Sequence, residues 1–447
     1  MAHPCRRRGA PYHGRGHRHA APRVSDTKHI LLLGADGFIG RHVAFAARAA
    51  GHRVTCIARR TAALKALGFE TFHADLTAEK WHSASSWKDL ARTAHGVINC
   101  AGLLTGSPSA MAAVHEHAPA ALYDALPHGS FLVLLSAVGI EAQTPFAQAR
   151  RTGESTAQLA SENGRHRLTI LRAGLVLSDG AYGGSAVLRG LAAFPLLTPV
   201  LGRGKHRFNP CHAEDLAQRL LAATEEDNGP KPIVTGGADT LTLKQLTAAT
   251  RAHLGLRPVP ALPIPMAMAR LMGKLGDAMR AGPFSTTAIN QLEHGVLAET
   301  AQPLRGASEF LARRPPSPAD LWHARLYLLR PLLRLTLLLL WLISGLLGLF
   351  APPSAYLPDL AATGLPDDTL ITAARAFGVL DLALAAALFR NWHPRLTFWA
   401  QFLLVTGYTI GLTAIAPHLW LDPYGALLKN LPILALLLTA RALDTER

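Results

Sequence analysis

The residues with the clearest chemical potential lie close to the start of the first apolar segment. Gly34-Ala35-Asp36-Gly37-Phe38-Ile39-Gly40 follows the run HILLL and opens a helical stretch, giving a GxxGxxG loop. Glycines at this spacing permit a tight turn and let backbone N–H groups approach a pyrophosphate, which a helix N-terminus favours electrostatically. The next strand ends in Ala58-Arg59-Arg60, with no acid. An acid there accepts a hydrogen bond from a ribose 2′-hydroxyl, whereas arginine forms charge-assisted bonds to a 2′-phosphate. These residues predict NADP in preference to NAD, with Arg59 or Arg60 as the contact.

The elements that must position this loop follow from the hydrophobic pattern. Short apolar runs (HILLLG, RVTCIA, FETFHADL, GVINCAG, SFLVLLSAV, RLTILRAGLVL) alternate with helical stretches such as FIGRHVAFAARAAG. That alternation predicts crossover units and a doubly wound parallel sheet, an α/β Rossmann architecture, over residues 28–320 with a small C-terminal substrate subdomain.

Near residue 320 the composition changes. A basic, proline-rich segment at 313–318 reads as a hinge, and after it come apolar stretches at 326–350, 370–389, 396–416 and roughly 424–440. About 20 helical residues cross a bilayer core of about 30 Å, so residues 321–447 read as an all-α bundle of four transmembrane helices. Arg313, Arg314, Arg325, Arg390, Arg395, Arg441 and Arg447 flank alternate ends, while 352–368 and 417–425 hold no Lys or Arg. The positive-inside rule then places both termini and the nucleotide domain in the cytoplasm, in a multi-pass protein of the inner, cytoplasmic membrane.

The net charge of +15 is distributed accordingly. Residues 1–27 form a basic tail rich in Arg, His, Gly and Pro, expected to be disordered. The middle is moderately basic, as suits a phosphate-bearing cofactor, and the last third is nearly neutral. No nucleic-acid partner is expected. The four scattered cysteines exclude a disulfide scaffold and a cysteine metal site.

The GADGFIG loop, Asp75-Leu76, Asn99-Cys100-Ala101-Gly102 and the FNPCHAEDLA segment together resemble an extended or atypical short-chain dehydrogenase/reductase. Within that superfamily, which includes NAD-dependent epimerase/dehydratase-like proteins, the chain is most similar to the NmrA-like branch and the nucleotide-binding accessory subunit of respiratory complex I. The last third, above all LWLDPYGALLKNLP at 419–432, resembles DoxX-like components of membrane oxidoreductase systems. The resemblance implies that Gly34, Asp36, Gly37, Phe38, Ile39 and Gly40 hold the cofactor. By it, Asp75 and Leu76 border the adenine, and Asn99, Ala101 and Gly102 pass beside the ribose.

It also implies a serine after the fifth strand and a YxxxK motif on the next helix, the tyrosine supplying a proton. Ser136 fills the first position, but Phe146 stands for the tyrosine and Arg150 for the lysine. Phenylalanine has no proton to give. His212, Tyr123 and Tyr182 are candidate replacement acids, each better explained structurally. His212, Glu214 and Asp215 invite a metal or acid-base reading, but the resemblance makes that segment a helix cap, and no metal is expected. In the bundle, Asp381 lies mid-span, with Arg375, Tyr408, Lys429 and Asn430 level with it or further outward, and serves either as packing glue or as part of a polar pocket or proton path.

The leading expectation is a membrane-anchored oxidoreductase whose partners are the bilayer, a quinone or another lipophilic substrate, and membrane oxidoreductase subunits. The alternative is a non-catalytic NADP-binding redox sensor or assembly component. A transporter is weaker, since four spans show no internal repeat.

Overall fold

The structure, a computed structural model, describes residues 27–279, 285–294, 297–423 and 425–444. The tail expected at residues 1–27, apart from its last residue, and Arg447 lie outside the described residues.

Strands β1 (His29–Leu33), β2 (Arg53–Ala58), β3 (Glu70–His73), β4 (Gly96–Asn99), β5 (Phe131–Ala137), β6 (Arg167–Ala173) and β7 (Ile233–Thr235) form one parallel sheet in the order 7-6-5-4-1-2-3. Period-two alternation sorts β1 between two cores. Ile30 and Leu32 pack with Val43, Ala44 and Ala47 of α1 (Phe38–Ala49) and with Leu216 and Leu220 of the helix Ala213–Ala222. Leu31 and Leu33 face the other way, onto Trp87, Ala118 and Leu122. Both faces are covered, as continuous apolar strands require. The strand order reverses between β1 and β4, where ligands of doubly wound sheets bind.

Helix α2 (Pro145–Ala160) follows β5 and is capped by Thr144, whose Oγ1 accepts from Ala147 N. Beyond the sheet, α3 (Gly184–Ala192), α4 (Ala213–Ala222), α5 (Leu243–His253), α6 (Met266–Ala278) and α7 (Thr286–His294) include the helices of the smaller subdomain.

The last two residues of the segment expected to be a hinge begin a helix. Ser317 and Asp320 form a capping box with Pro318 at the first helical position, and the helix α8 runs unbroken from Pro318 to Phe350. A serine, a proline and an acid at this spacing are a helix start signal. Asp320 also receives Arg314 at 3.0 Å and Arg189 of α3 at 3.4 Å. Gly190 lets α3 close on α8, since a Cβ there would sit 3.0 Å from Leu328. The first turns of α8 are therefore packed onto the nucleotide domain.

Helices α9 (Asp367–Arg390), α10 (Pro394–Ile415) and α11 (Asn430–Leu443) complete the bundle. Gly345 and Gly348 of α8 meet Gly378 of α9 backbone to backbone, the close approach that small residues allow between membrane helices. Among the described residues three helices, α8, α9 and α10, are long and apolar enough to cross a membrane. The fourth apolar stretch differs from expectation: α11 has 14 residues, about 21 Å at 1.5 Å per residue. Its end returns to the start of the bundle, where Asp444 pairs with Arg330 at 2.6 Å.

Candidate functional site

Each glycine of the loop after β1 has a separate steric reason. Gly34 has φ +78°, and a Cβ on it would lie 2.7 Å from Ala101 N and Cα. A Cβ on Gly37 would lie 3.1 Å from Gly34 O, and one on Gly40 only 2.2 Å from the same oxygen. Gly37 is also the N-cap residue of α1. The loop thus brings the α1 N-terminus against the end of β4 too closely for side chains, the arrangement that lets backbone N–H groups approach a pyrophosphate. Ile39 packs into the core, while Phe38 remains half-exposed beside the loop.

At the end of β2, Arg59 and Arg60 are exposed. Arg60 reaches back through Nε to Asp36 Oδ2 at 3.2 Å. Asp75 closes the neighbouring turn, accepting from Thr77 N at 3.1 Å and Thr77 Oγ1 at 2.8 Å. Partial burial raises the Asp75 pKa, but the two Thr77 bonds and the charges of Arg59 and His73 outweigh it and hold the carboxyl below its ordinary range. Leu76 is buried. Two arginines, two acids and the loop therefore meet at the β2–β3 end of the crevice.

A second group converges at the end of β4 and β5. Asn99 accepts from Ala101 N at 2.9 Å through Oδ1 and donates to Tyr123 Oη at 2.8 Å. Asn99, Ala101, His115, Ser136, Arg150 and Gly153 line one small cavity. The Arg150 guanidinium donates to Leu135 O at 2.8 Å and lies under Gly102, where a Cβ would approach Nη2 to 2.4 Å. Ser136 Oγ and Arg150 Nε are buried without a hydrogen-bond partner among the described residues. Burial lowers the Arg150 pKa to about 10, so it stays charged at neutral pH. Phe146 stacks on this cation, its ring centroid 5.4 Å from Cζ.

The residues predicted at Ser136, Arg150, Asn99, Ala101 and Gly102 are thus brought together, about one small space. His115 was missed by sequence reasoning. It sits on a π-helical turn, Ala113–His117, a feature enriched at functional sites. Burial, with the charge of Arg150, lowers its pKa to about 3, so it is neutral. One histidine among 21 carries no signal in the sequence, because the π turn that aims it is a tertiary feature.

The candidate replacement acids do not join this group. Tyr123 is buried, bonded to Asn99, and burial raises its pKa to about 12. Tyr182 is exposed and stacks on Phe38, with centroids 6.1 Å apart and planes at 16°. His212 is the N-cap of α4, its Nδ1 accepting from Glu214 N at 3.4 Å. Asp215 pairs with Arg305 at 2.5 Å. The HAED segment is a cap and a tie, and among the described residues no group of three or more His, Cys, Asp or Glu could hold a metal ion.

Inside the bundle, Asp381 is buried and accepts from Ser344 Oγ at 2.6 Å, while its Oδ1 has no hydrogen-bond partner among the described residues. Tyr408, expected level with it or further outward, packs its ring on Phe377 at 5.2 Å. Asn430 donates to Thr409 Oγ1 at 2.9 Å, toward the C-terminal end of α10.

Comparison with known proteins gives two family matches. Residues 30–119 match the NAD dependent epimerase/dehydratase family, and residues 338–438 match the DoxX-like family. No curated protein matches the chain. Similar solved structures include the UDP-glucuronic acid 4-epimerase of Bacillus cereus, at 15% identity over 67% of this chain and 98% of that one, with a TM-score of 0.45. The UDP-glucose 4-epimerase of Thermotoga maritima is 16% identical over 66% and 96%, with a TM-score of 0.45. The dTDP-glucose 4,6-dehydratase of Bacillus anthracis is 11% identical over 54% and 85%, again at 0.45. The chain joins an NAD dependent epimerase/dehydratase-type Rossmann domain to a DoxX-like domain of apolar helices.

Proposed function

We propose that this protein is a membrane-anchored, NADP(H)-binding oxidoreductase of the short-chain dehydrogenase/reductase type, acting on a lipophilic substrate such as a quinone at the cytoplasmic face. The observation that carries the proposal is the crevice between β1 and β4, where three close-packed glycines and the α1 N-terminus face Ala101, with Arg59 and Arg60 at its rim.

In this reading Gly34, Gly37 and Gly40 clear the backbone N–H groups for the pyrophosphate. Arg59 and Arg60 hold the 2′-phosphate, and Asp75 and Leu76 border the adenine. Asn99, Ala101 and Gly102 border the ribose, and the Arg150 guanidinium beneath Gly102 supplies a fixed positive charge there. The bound cofactor supplies a hydride. Ser136, its hydroxyl unpartnered, orients the substrate oxygen. The accompanying proton must reach that oxygen from a group other than Phe146, and a positioned acid is typically worth about 10²–10⁴-fold in rate.

Purified protein is expected to oxidise NADPH slowly with members of a panel of quinones, isoprenoids and aldehydes. One observation favours a second reading, a non-catalytic sensor or assembly component of a membrane oxidoreductase complex. Phe146 occupies the proton donor's place and packs on Arg150. NADPH binding without turnover on any panel member supports that reading instead.

A further inference from the structure

Helix α6, Met266–Ala278, is built inside out. Its packed face is made of the small residues Ala269, Gly273 and Gly276. Gly273 closes on α7, where a Cβ would lie 2.8 Å from Ile289 Cδ1 and 3.1 Å from Thr286 N. Its large apolar residues point outward instead: Met268, Leu271, Met272 and Leu275 are 52%, 68%, 53% and 55% exposed. At 100° per residue these four span an arc of about 100°, the width of a stripe that normally faces a core. Arg270 and Lys274 stand on the adjoining side, exposed, with Arg270 held by Glu293 at 2.7 Å.

The depth of α6 says what covers that stripe. Just past its end, Met279 O accepts from Arg334 Nη1 at 3.1 Å. The same guanidinium donates through Nε to Leu388 O at 2.8 Å and through Nη2 to Phe389 O at 2.9 Å, at the end of α9. Counting about 20 residues back from Phe350, α8 enters the bilayer core near residue 331, which puts Arg334 about one turn inside the boundary. The last turn of α6 is thereby at the level where α9 leaves the membrane. Exposed Trp392, just after α9, lies at this level, as tryptophans do at interfaces.

We infer that α6 lies in the membrane interface, its Met268–Leu271–Met272–Leu275 stripe in the acyl-chain boundary of the leaflet entered by α8, and Lys274 toward anionic headgroups. This rests on the reading of α8 to α10 as membrane spans. Through α7 the contact reaches the catalytic end of the nucleotide domain. Gln291 of α7 donates to Thr144 Oγ1, the cap of the helix that carries Phe146 and Arg150, at 2.9 Å. The α6–α7 pair then links the lipid-facing stripe to the helix that carries Phe146 and Arg150, which fits a substrate that dissolves in the bilayer.

The test is the accessibility of nitroxide labels in the full-length protein, reconstituted in phosphatidylethanolamine–phosphatidylglycerol vesicles. Leu271→Cys, Leu275→Cys and Lys274→Cys are introduced one at a time in a Cys5→Ser/Cys100→Ala background, where the remaining Cys56 and Cys211 are buried. Power saturation then compares oxygen, which partitions into lipid, with a water-soluble nickel chelate. The expected oxygen-to-nickel ratio at 271 and 275 is several-fold higher than at 274. Equal ratios at all three positions, or labels at 271 and 275 shielded from both reagents, would overturn the inference. Leu403→Cys, on the exposed face of α10, separates the two failures. A water-accessible label at 403 removes the span reading itself, whereas a lipid-accessible 403 beside water-accessible 271 and 275 removes the α6 assignment alone.

Discussion

In the proposed reaction, Phe146 stands where the resemblance implies a proton-donating tyrosine, and it packs on the Arg150 cation. Phe146→Tyr adds a hydroxyl beside a positive charge that favours the phenolate, so turnover of NADPH with an accepted substrate should rise by about tenfold or more, the low end of acid catalysis. Steady-state kinetics at saturating NADPH checks this, and an unchanged kcat counts against the proposed substrate position. His115 gives a pH prediction. Burial lowers its folded pKa to about 3, below the unfolded value of 6.5, so its contribution to stability is complete above pH 6.5 and is lost as the pH falls toward 3. The loss approaches about 1.4 kcal/mol per pH unit for this one residue. Urea titrations between pH 7 and 5 should show it, with a shallower slope in His115→Leu. His166, also held down by burial to about 4, keeps its own share. Ser136 and Arg150 were legible because their spacing from the fifth strand resembles a known pattern. His115 was not, since a π turn leaves no periodic trace.

Among the elements, the glycine loop and the α8 cap make opposite demands on the backbone. Gly34→Ala forces a side chain into a left-handed conformation and into Ala101, 2.7 Å away. Strain of this kind costs about 1–3 kcal/mol, and NADPH affinity should fall by at least tenfold, as titration of tryptophan fluorescence would report. Asp320 caps α8 and neutralises Arg189 and Arg314. Asp320→Ala removes the carboxylate beside the half-buried Arg189 together with the cap, and should lower the melting temperature more than Asp320→Asn, which can retain hydrogen bonding at the cap. The sheet strands were legible because parallel strands buried on both faces are continuous apolar runs. The cap at Ser317 and Pro318 was not legible within a segment that reads as a hinge, because proline and arginine mark linkers and helix starts alike. Only the partners of Asp320, Arg189 above all, distinguish the two. The outward stripe of α6 was equally hidden, since periodicity says that a helix has an apolar face and not which way that face points.

The whole molecule is a nucleotide-binding domain seated on a bundle whose first helix it grips. The Arg330–Asp444 pair and the bonds from Arg334 to the end of α9 put the start of α8 and the ends of α9 and α11 on one side. That pattern agrees with the alternation of basic loops and loops without Lys or Arg, although α11 is shorter than a full span. If the basic side is cytoplasmic, a cysteine introduced near 392 should react with membrane-permeant maleimide only, and one near 365 with impermeant reagent in intact cells. The reverse labelling would invert the topology.

The central claim is that the crevice binds NADP(H) through Arg59 and Arg60, and the most direct test is calorimetric titration of the full-length protein in lipid nanodiscs with NADPH and with NADH. Charge-assisted bonds to the 2′-phosphate contribute about 1.5–3 kcal/mol each, so NADPH should bind at least tenfold tighter. The double variant Arg59→Ala/Arg60→Ala should bind the two alike. Equal affinities in the unsubstituted protein, or a preference for NADH, would contradict the account.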